Sequence, residues 1–225
     1  MSHAASGRRT GGRAPRSAAR RRLLGAFAAA PLAGALAGCV GLGEAPAHVY
    51  YELDDLGGGT PPAAGARVEH TLLVAGSAVN GLLDSTALAF SRAAGARQQY
   101  QFASWSERPA QRIARLMARR LREAQVFRDV VAETAPVRGD WLLELQLEQL
   151  FHDDAAPPGE ARIEVTADLV DRLARRSIAR RRFVQREPLA GESAAQAVAA
   201  FDRALTRLLD EASAWVLAQA ARPPG

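Results

Sequence analysis

A single cysteine closes the tetrapeptide Leu36-Ala37-Gly38-Cys39 at the end of an Ala/Leu-rich run. A thiol is the nucleophile that accepts a diacylglyceryl group, and small residues ahead of it leave the neighbouring peptide bond open to a peptidase. With no second cysteine there is no internal disulfide. We read the tetrapeptide as a bacterial lipobox, with Cys39 as the lipidation site and the first residue of the processed chain.

The remaining reactive side chains form no comparable constellation. Gly191-Glu192-Ser193-Ala194-Ala195 resembles a nucleophile elbow but lacks the final glycine, and Arg186-Glu187-Pro188 leads into it instead of an apolar strand. Ser193 with Gln196 three residues on reads better as a helix capping box. Beyond Cys39 the histidines are His48, His70 and His152, none in a metalloprotease spacing. His152-Asp153-Asp154 are adjacent residues expected in a loop, where they converge poorly on one ion. Gly57-Gly58-Gly59 lacks both the spacing of a phosphate loop and a helix after it. The sequence therefore predicts no catalysis, no metal and no cofactor apart from the acyl group on Cys39. A hydrolase using Ser193 is the remote alternative.

Charge supports the same partition. The whole chain has a formal net charge of +5, from 29 basic and 24 acidic residues. Seven of the 29 are arginines within residues 1–38, which hold no acid, so 22 basic face 24 acidic residues from Cys39 onward. The processed chain is slightly acidic, which argues against nucleic acid as a partner. Residues 1–38 have a basic start, an apolar run over 23–37 and a small-residue cleavage site, the three parts of an export signal. That run falls short of the ~20 apolar residues a membrane-spanning helix needs. Arg20-Arg21-Arg22-Leu23-Leu24 also fits a loose twin-arginine pattern. The expected organisation is a signal peptide over 1–38, a Gly/Pro/Ala tether over 39–47 and one domain over 48–221.

Within that domain the periodicities place strands at 48–53, 67–75, 85–92, 98–104, 127–133, 141–151, 162–170 and 177–187. Residues 85–92 and 98–104 read as a hairpin, with Tyr100 and Phe102 on one face. Trp141, Leu143, Leu145, Leu147 and Phe151 share the inner face of the clearest strand. Arg175, Arg176, Arg180, Arg181, Arg182 and Arg186 read as the charged defence of an edge strand, with a surface for lipid headgroups or an acidic partner as the alternative. A first helix over 109–124 buries Ile113, Leu116, Met117 and Leu121 and turns Arg112, Arg115, Arg119 and Arg122 to solvent. A second helix over 193–220 spans ~40 Å, longer than one sheet face needs, so its tail is expected to reach past the domain. Trp215 and Val216 on that tail are the candidate partner-docking residues.

Taken together, the lipobox, Tyr50-Tyr51-Glu52-Leu53, Leu82-Leu83-Asp84, Tyr100 ahead of Trp105, Pro109, Phe127-Arg128-Asp129-Val130, the strand from Trp141, the hairpin through Phe183 and Trp215-Val216 resemble the ABC-type transport auxiliary lipoprotein family. The resemblance implies an α+β fold, an α/β sandwich whose mixed, mostly antiparallel sheet carries two long helices. It also implies a non-enzymatic auxiliary subunit on the periplasmic face of the outer membrane, a placement favoured by Val40 after the cysteine. The implied partners are a Mce-domain or Pqi-type channel protein and ABC transporter subunits of a lipid transport system, with homo-oligomers among the expected assemblies. The alternative is an LPS-assembly-type lipoprotein that partners an outer-membrane β-barrel.

Overall fold

The computed structural model describes residues 46–57 and 67–222. Their elements run β1 (Val49–Tyr51), β2 (Val68–Ala78), β3 (Ala87–Ser91), β4 (Gln98–Trp105), α1 (Pro109–Glu123), β5 (Phe127–Ala132), β6 (Trp141–Asp153), β7 (Glu160–Asp171), β8 (Arg176–Pro188) and α2 (Ala194–Ala220). The fold is α+β, as the sequence predicts.

β6 organises the sheet. One of its edges pairs with β7 from Trp141 to Asp153, and β7 in turn pairs with the edge strand β8. Its other edge is shared. β2 runs parallel to residues Trp141 to Leu147, and β3 takes over in parallel at His152 and Asp153. β5 continues the sheet beyond β2, while β4 and then β1 continue it beyond β3. This branching curls the eight strands into a half-barrel. The expected mostly antiparallel character needs adjustment. β1·β4, β2·β5, β2·β6 and β3·β6 are parallel, and only β3·β4, β6·β7 and β7·β8 are antiparallel.

Two irregularities change which side chains reach the core. The β6–β7 register shifts between Leu147 and Gln149. One extra residue in a strand reverses the side of everything after it. Leu150 therefore joins Leu143, Leu145 and Leu147 in the main core cluster, and Phe151 is buried apart from it, under the guanidiniums of Arg97 and Arg162. The β3–β4 register likewise jumps, from Ala87 opposite Ser104 to Ala89 opposite Gln99. Tyr100 consequently packs on the core with Ala103 and Trp105, while Phe102 points to solvent. Tyr100 and Phe102 do not share a face.

Both helices cover the inner side. α1 buries Ile113, Leu116, Met117 and Leu121. α2 follows β8 back along its length: Arg203 donates to the Pro188 carbonyl, Arg207 to that of Arg186, Gln185 donates to Glu211, and Trp215 meets Phe183 edge-on at 5.9 Å. One helical turn advances ~5.4 Å, close to two strand residues at ~3.3 Å each. A 27-residue helix thus matches a 13-residue strand, and α2 stays buried through Ala220. Its tail does not extend past the domain.

Gly76 sets the approach of α1 to β2, because a Cβ there would run into the Ala110 backbone carbonyl. Gly76→Ala should therefore lower the unfolding free energy by about 1–3 kcal/mol, read by urea denaturation, since backbone cannot swing aside as a side chain would.

Candidate functional site

After β1 the chain crosses both helices as an extended segment, residues 52–57, held by charge. Leu53 is buried and its carbonyl accepts from Arg112 Nε at 2.8 Å. The Asp54 amide donates to Asp202 Oδ1 at 2.9 Å, and the Leu56 amide donates to Thr206 Oγ1 at 3.0 Å. Between them Asp55 turns inward, its side chain 3% exposed, and accepts from Arg120 Nε at 2.7 Å and Nη2 at 2.6 Å. Arg120 also bridges to Asp210, and Arg119 stands 3.5 Å from Asp55. Asp202, Thr206 and Asp210 lie one turn apart on α2, facing Arg112, Arg119 and Arg120 of α1. The two helices present facing strips of opposite charge, and the segment is clasped between them.

The clasp shifts its own acids in opposite directions. Burial alone would raise Asp55, but the hydrogen bonds and charge of Arg120, the Gly57 amide and the charge of Arg119 reverse that and hold it below the usual range. Asp202 goes up to about 6, first through burial and then through the charge of Asp54, against the Asp54 amide, Arg203 and Arg112. A carboxyl whose folded pKa lies above its ordinary 3.8 binds protons more tightly when folded, so its contribution is lost as pH rises from ~4 to ~6. Asp202→Asn keeps the acceptor for Asp54 and removes the charge. It should flatten stability across that window and raise it at pH 7 by about 1–2 kcal/mol, after discounting for partial exposure, as measured by melting at graded pH.

A second cluster lies at the far end of β6. His152 is buried within the strand and not in a following loop; its Nδ1 is 2.7 Å from the Tyr100 hydroxyl. Its Nε2 is buried without a hydrogen-bond partner among the described atoms, 3.9 Å from Asp154. Burial pushes His152 down despite Asp154 and Asp153, and burial with the charge of Asp154 pushes Tyr100 up to about 12. Both stay neutral near pH 7. Neither shift activates the tyrosine as a nucleophile, and Gly159 closes over the ring. The described residues hold no cluster of three or more His, Cys, Asp or Glu arranged for a metal ion.

The arginines of β8 lie on a sheet edge, and two of them pair inward. Arg182 bridges to Glu164 and Arg186 approaches Glu160 at 3.6 Å, both on the neighbouring strand β7. This is the charged-edge arrangement expected from the sequence.

A family model, ABC-type transport auxiliary lipoprotein component, matches residues 51–213, which runs from the end of β1 deep into α2. The chain belongs to this family. As an ABC-type transport auxiliary lipoprotein component it has a membrane-associated, transport-linked role. Its fold is similar to the crystal structure of protein XCC0632 from Xanthomonas campestris, a DUF330 protein, at 24% identity and a TM-score of 0.68, covering 76% of this chain and 95% of that one. An uncharacterized protein of known structure is similar at 13% identity and a TM-score of 0.58, covering 76% and 99%. No curated protein matches. No described helix is long and apolar enough to cross a membrane.

Of the residues singled out from the sequence, Cys39 lies outside the described residues. Ser193 caps α2, accepting from the Gln196 amide while the Gln196 side chain accepts from the Ser193 amide. Trp215 is half-buried against Phe183, with part of its ring open. Val216 is wholly buried, so it supports the helix from the core and meets no partner in this fold. Arg112 and Arg119, expected to face solvent, reach the clasp. Asp55, Arg120 and Asp202 were missed, although Arg120 interrupts the apolar stripe between Met117 and Leu121. A charge on the buried side of an amphipathic helix is the signal that a buried partner exists.

Proposed function

We propose that the chain is an outer-membrane lipoprotein, acylated at Cys39, that serves as the docking subunit of a Mce- or Pqi-type ABC system moving lipid between membranes. Residues 1–38 are its signal peptide, 39–47 its tether and 48–221 the working domain. Its partners are a Mce-domain or Pqi-type channel protein and the ABC subunits, with self-association as a further assembly. The observation that carries this reading is the extent of the family match, which covers the folded body and not merely an anchor. The charged groups of that body support it. The largest ionic constellation described fastens residues 52–57 to both helices, where it aims no reactive group at a substrate. Trp215 is the docking contact on α2, with Val216 holding it in place.

Crosslinking and co-purification from native membranes test the proposal. A Mce-domain protein or an ABC subunit should be recovered, and Trp215→Ala should reduce recovery several-fold at a temperature well below its unfolding transition, which the lost packing on Phe183 lowers. Recovery of an outer-membrane β-barrel and no channel protein, from membranes in which the complex is intact, would overturn it.

A further inference from the structure

The tether reading fixes how far the body can stand from its lipid. From Cys39 to Ala47 is eight residues, which span at most about 29 Å when fully extended. No further slack follows. Val49 and Tyr51 are paired to Ala103 and Trp105, the Ser106 amide donates to the Tyr51 carbonyl at 2.7 Å, and the clasp takes over from Leu53. The edge of the sheet at β1 is thus where the tether enters the body, within that reach of the acyl group.

That edge is apolar in an unusual way. Tyr50 is 69% exposed, Val49 44% and Phe102 40%. Tyr50 lies opposite Ser104, one position beyond Ala103, and the jump in the β3–β4 register is what turns Phe102 outward beside them. The His48 ring lies tilted against Tyr50, 4.8 Å between centroids, and hydrogen-bonds Ser104 at 2.9 Å, which gives the patch a polar rim. Aromatic rings with a wet polar end prefer the boundary between lipid headgroups and acyl chains, and the water there satisfies the bare backbone edge of a three-residue strand.

We propose that the Tyr50–Phe102 patch, with His48, is a bilayer-contact surface that seats the body on the membrane holding its own acyl chains. The inference rests on acylation of Cys39 and adds an orientation to it. β3, next to β4, meets β6 at His152 and Asp153, whereas the β7–β8 turn with Leu173, 77% exposed, lies at the Trp141 end. Ser104, beside Tyr50, lies opposite Ala87, three residues back along β3 from Phe90, so the patch and that turn are about eight residues of β6 apart, ~26 Å at ~3.3 Å each. One end of the long strands sits at the headgroups and the other points away toward the periplasm, where a channel partner would meet it.

The test uses the mature acylated protein in phosphatidylethanolamine/phosphatidylglycerol vesicles with or without brominated acyl chains, which quench nearby tryptophan. Tyr50→Trp and Phe102→Trp probe the patch, and Leu173→Trp probes the far end; all three positions are exposed, and each variant is compared with the parent chain. Added emission from either patch variant should be quenched at least twofold more than that from Leu173→Trp. Equal quenching at the two ends, or patch emission that responds to protein concentration and not to bromine, overturns the proposal while leaving the anchor in place. The intact mass separates the two readings. A protein whose Cys39 carries no diacylglyceryl group removes the tether argument and the lipoprotein proposal together.

Discussion

Replacing Arg120 by methionine is expected to lower the unfolding free energy by about 3–5 kcal/mol, the range for removing one partner of a buried ion pair. The substitution keeps most of the side chain's apolar volume, so the loss is electrostatic and not a packing void. Asp55 is left with its side chain 3% exposed, facing Arg119 at 3.5 Å, the backbone amide of Gly57 and the Thr206 hydroxyl at 3.4 Å. An uncompensated buried carboxylate either takes up a proton or pulls its segment into water. Both outcomes loosen residues 52–57 from the helices. For a domain of this size the melting temperature should fall by roughly 10 °C. Adding Asp55→Asn to the Arg120→Met chain should recover part of the loss, because the charge that lost its partner is gone. If the single and double variants unfold at the same urea concentration, Asp55 is not the group that Arg120 stabilises. Hydrogen exchange at Asp54 and Leu56, whose amides donate to Asp202 and Thr206, would show the segment loosening directly.

The clasp also shows where sequence reasoning stops. Local patterns gave the elements because each depends on a few neighbouring residues. Ile113, Leu116, Met117 and Leu121 make one helical stripe, and Ser193 with Gln196 makes one cap, whatever lies elsewhere. The edge position of β8 was legible for a similar reason, since its arginines require acidic neighbours on one side and water on the other. Strand pairing depends on distant partners, and the parallel contacts of β1, β2 and β3 leave no local trace. Bulges are harder still. Nothing in Leu147-Glu148-Gln149-Leu150 announces which residue is surplus, yet that one residue exchanges Phe151 for Leu150 in the main core cluster. The expectation that the tail of α2 reaches past the domain failed for want of a length comparison. A helix that looks too long for a sheet of five-residue strands is the right length for one of thirteen. Asp55 and Arg120, 65 positions apart, meet only because the chain from β1 is laid across the helices.

The position of the clasp gives it a mechanical meaning. With Cys39 acylated as proposed, load on the tether would enter the domain through Ala47 and β1, and a three-residue parallel pairing alone would peel open readily. Immediately downstream, Arg112, Arg120, Asp202 and Thr206 connect the same segment to both helices, and α2 is continuous with the core through Phe201 against Trp105. Force from the anchor is therefore delivered to the helical layer and not to the sheet edge.

Cys39→Ser separates anchoring from folding and should have the largest effect on location. Two acyl chains hold a protein on a bilayer stably, because each buried methylene contributes ~0.8 kcal/mol, whereas a hydroxyl cannot take the thioether that carries them. The variant should leave the outer-membrane fraction by more than about tenfold on density-gradient separation, and its intact mass should lack the diacylglyceryl group. Its melting temperature should stay with that of the parent body, since residues Ala47–Gly225 form one compact unit and the clasp begins only at Leu53. Arg120→Met makes the opposite prediction: acylated Cys39, normal membrane fractionation and a weakened body. If Cys39→Ser remained in the outer-membrane fraction at parental levels, acylation would not be what attaches the protein. The two variants together would distinguish a scaffold that must be both anchored and rigid from one that needs only its lipid.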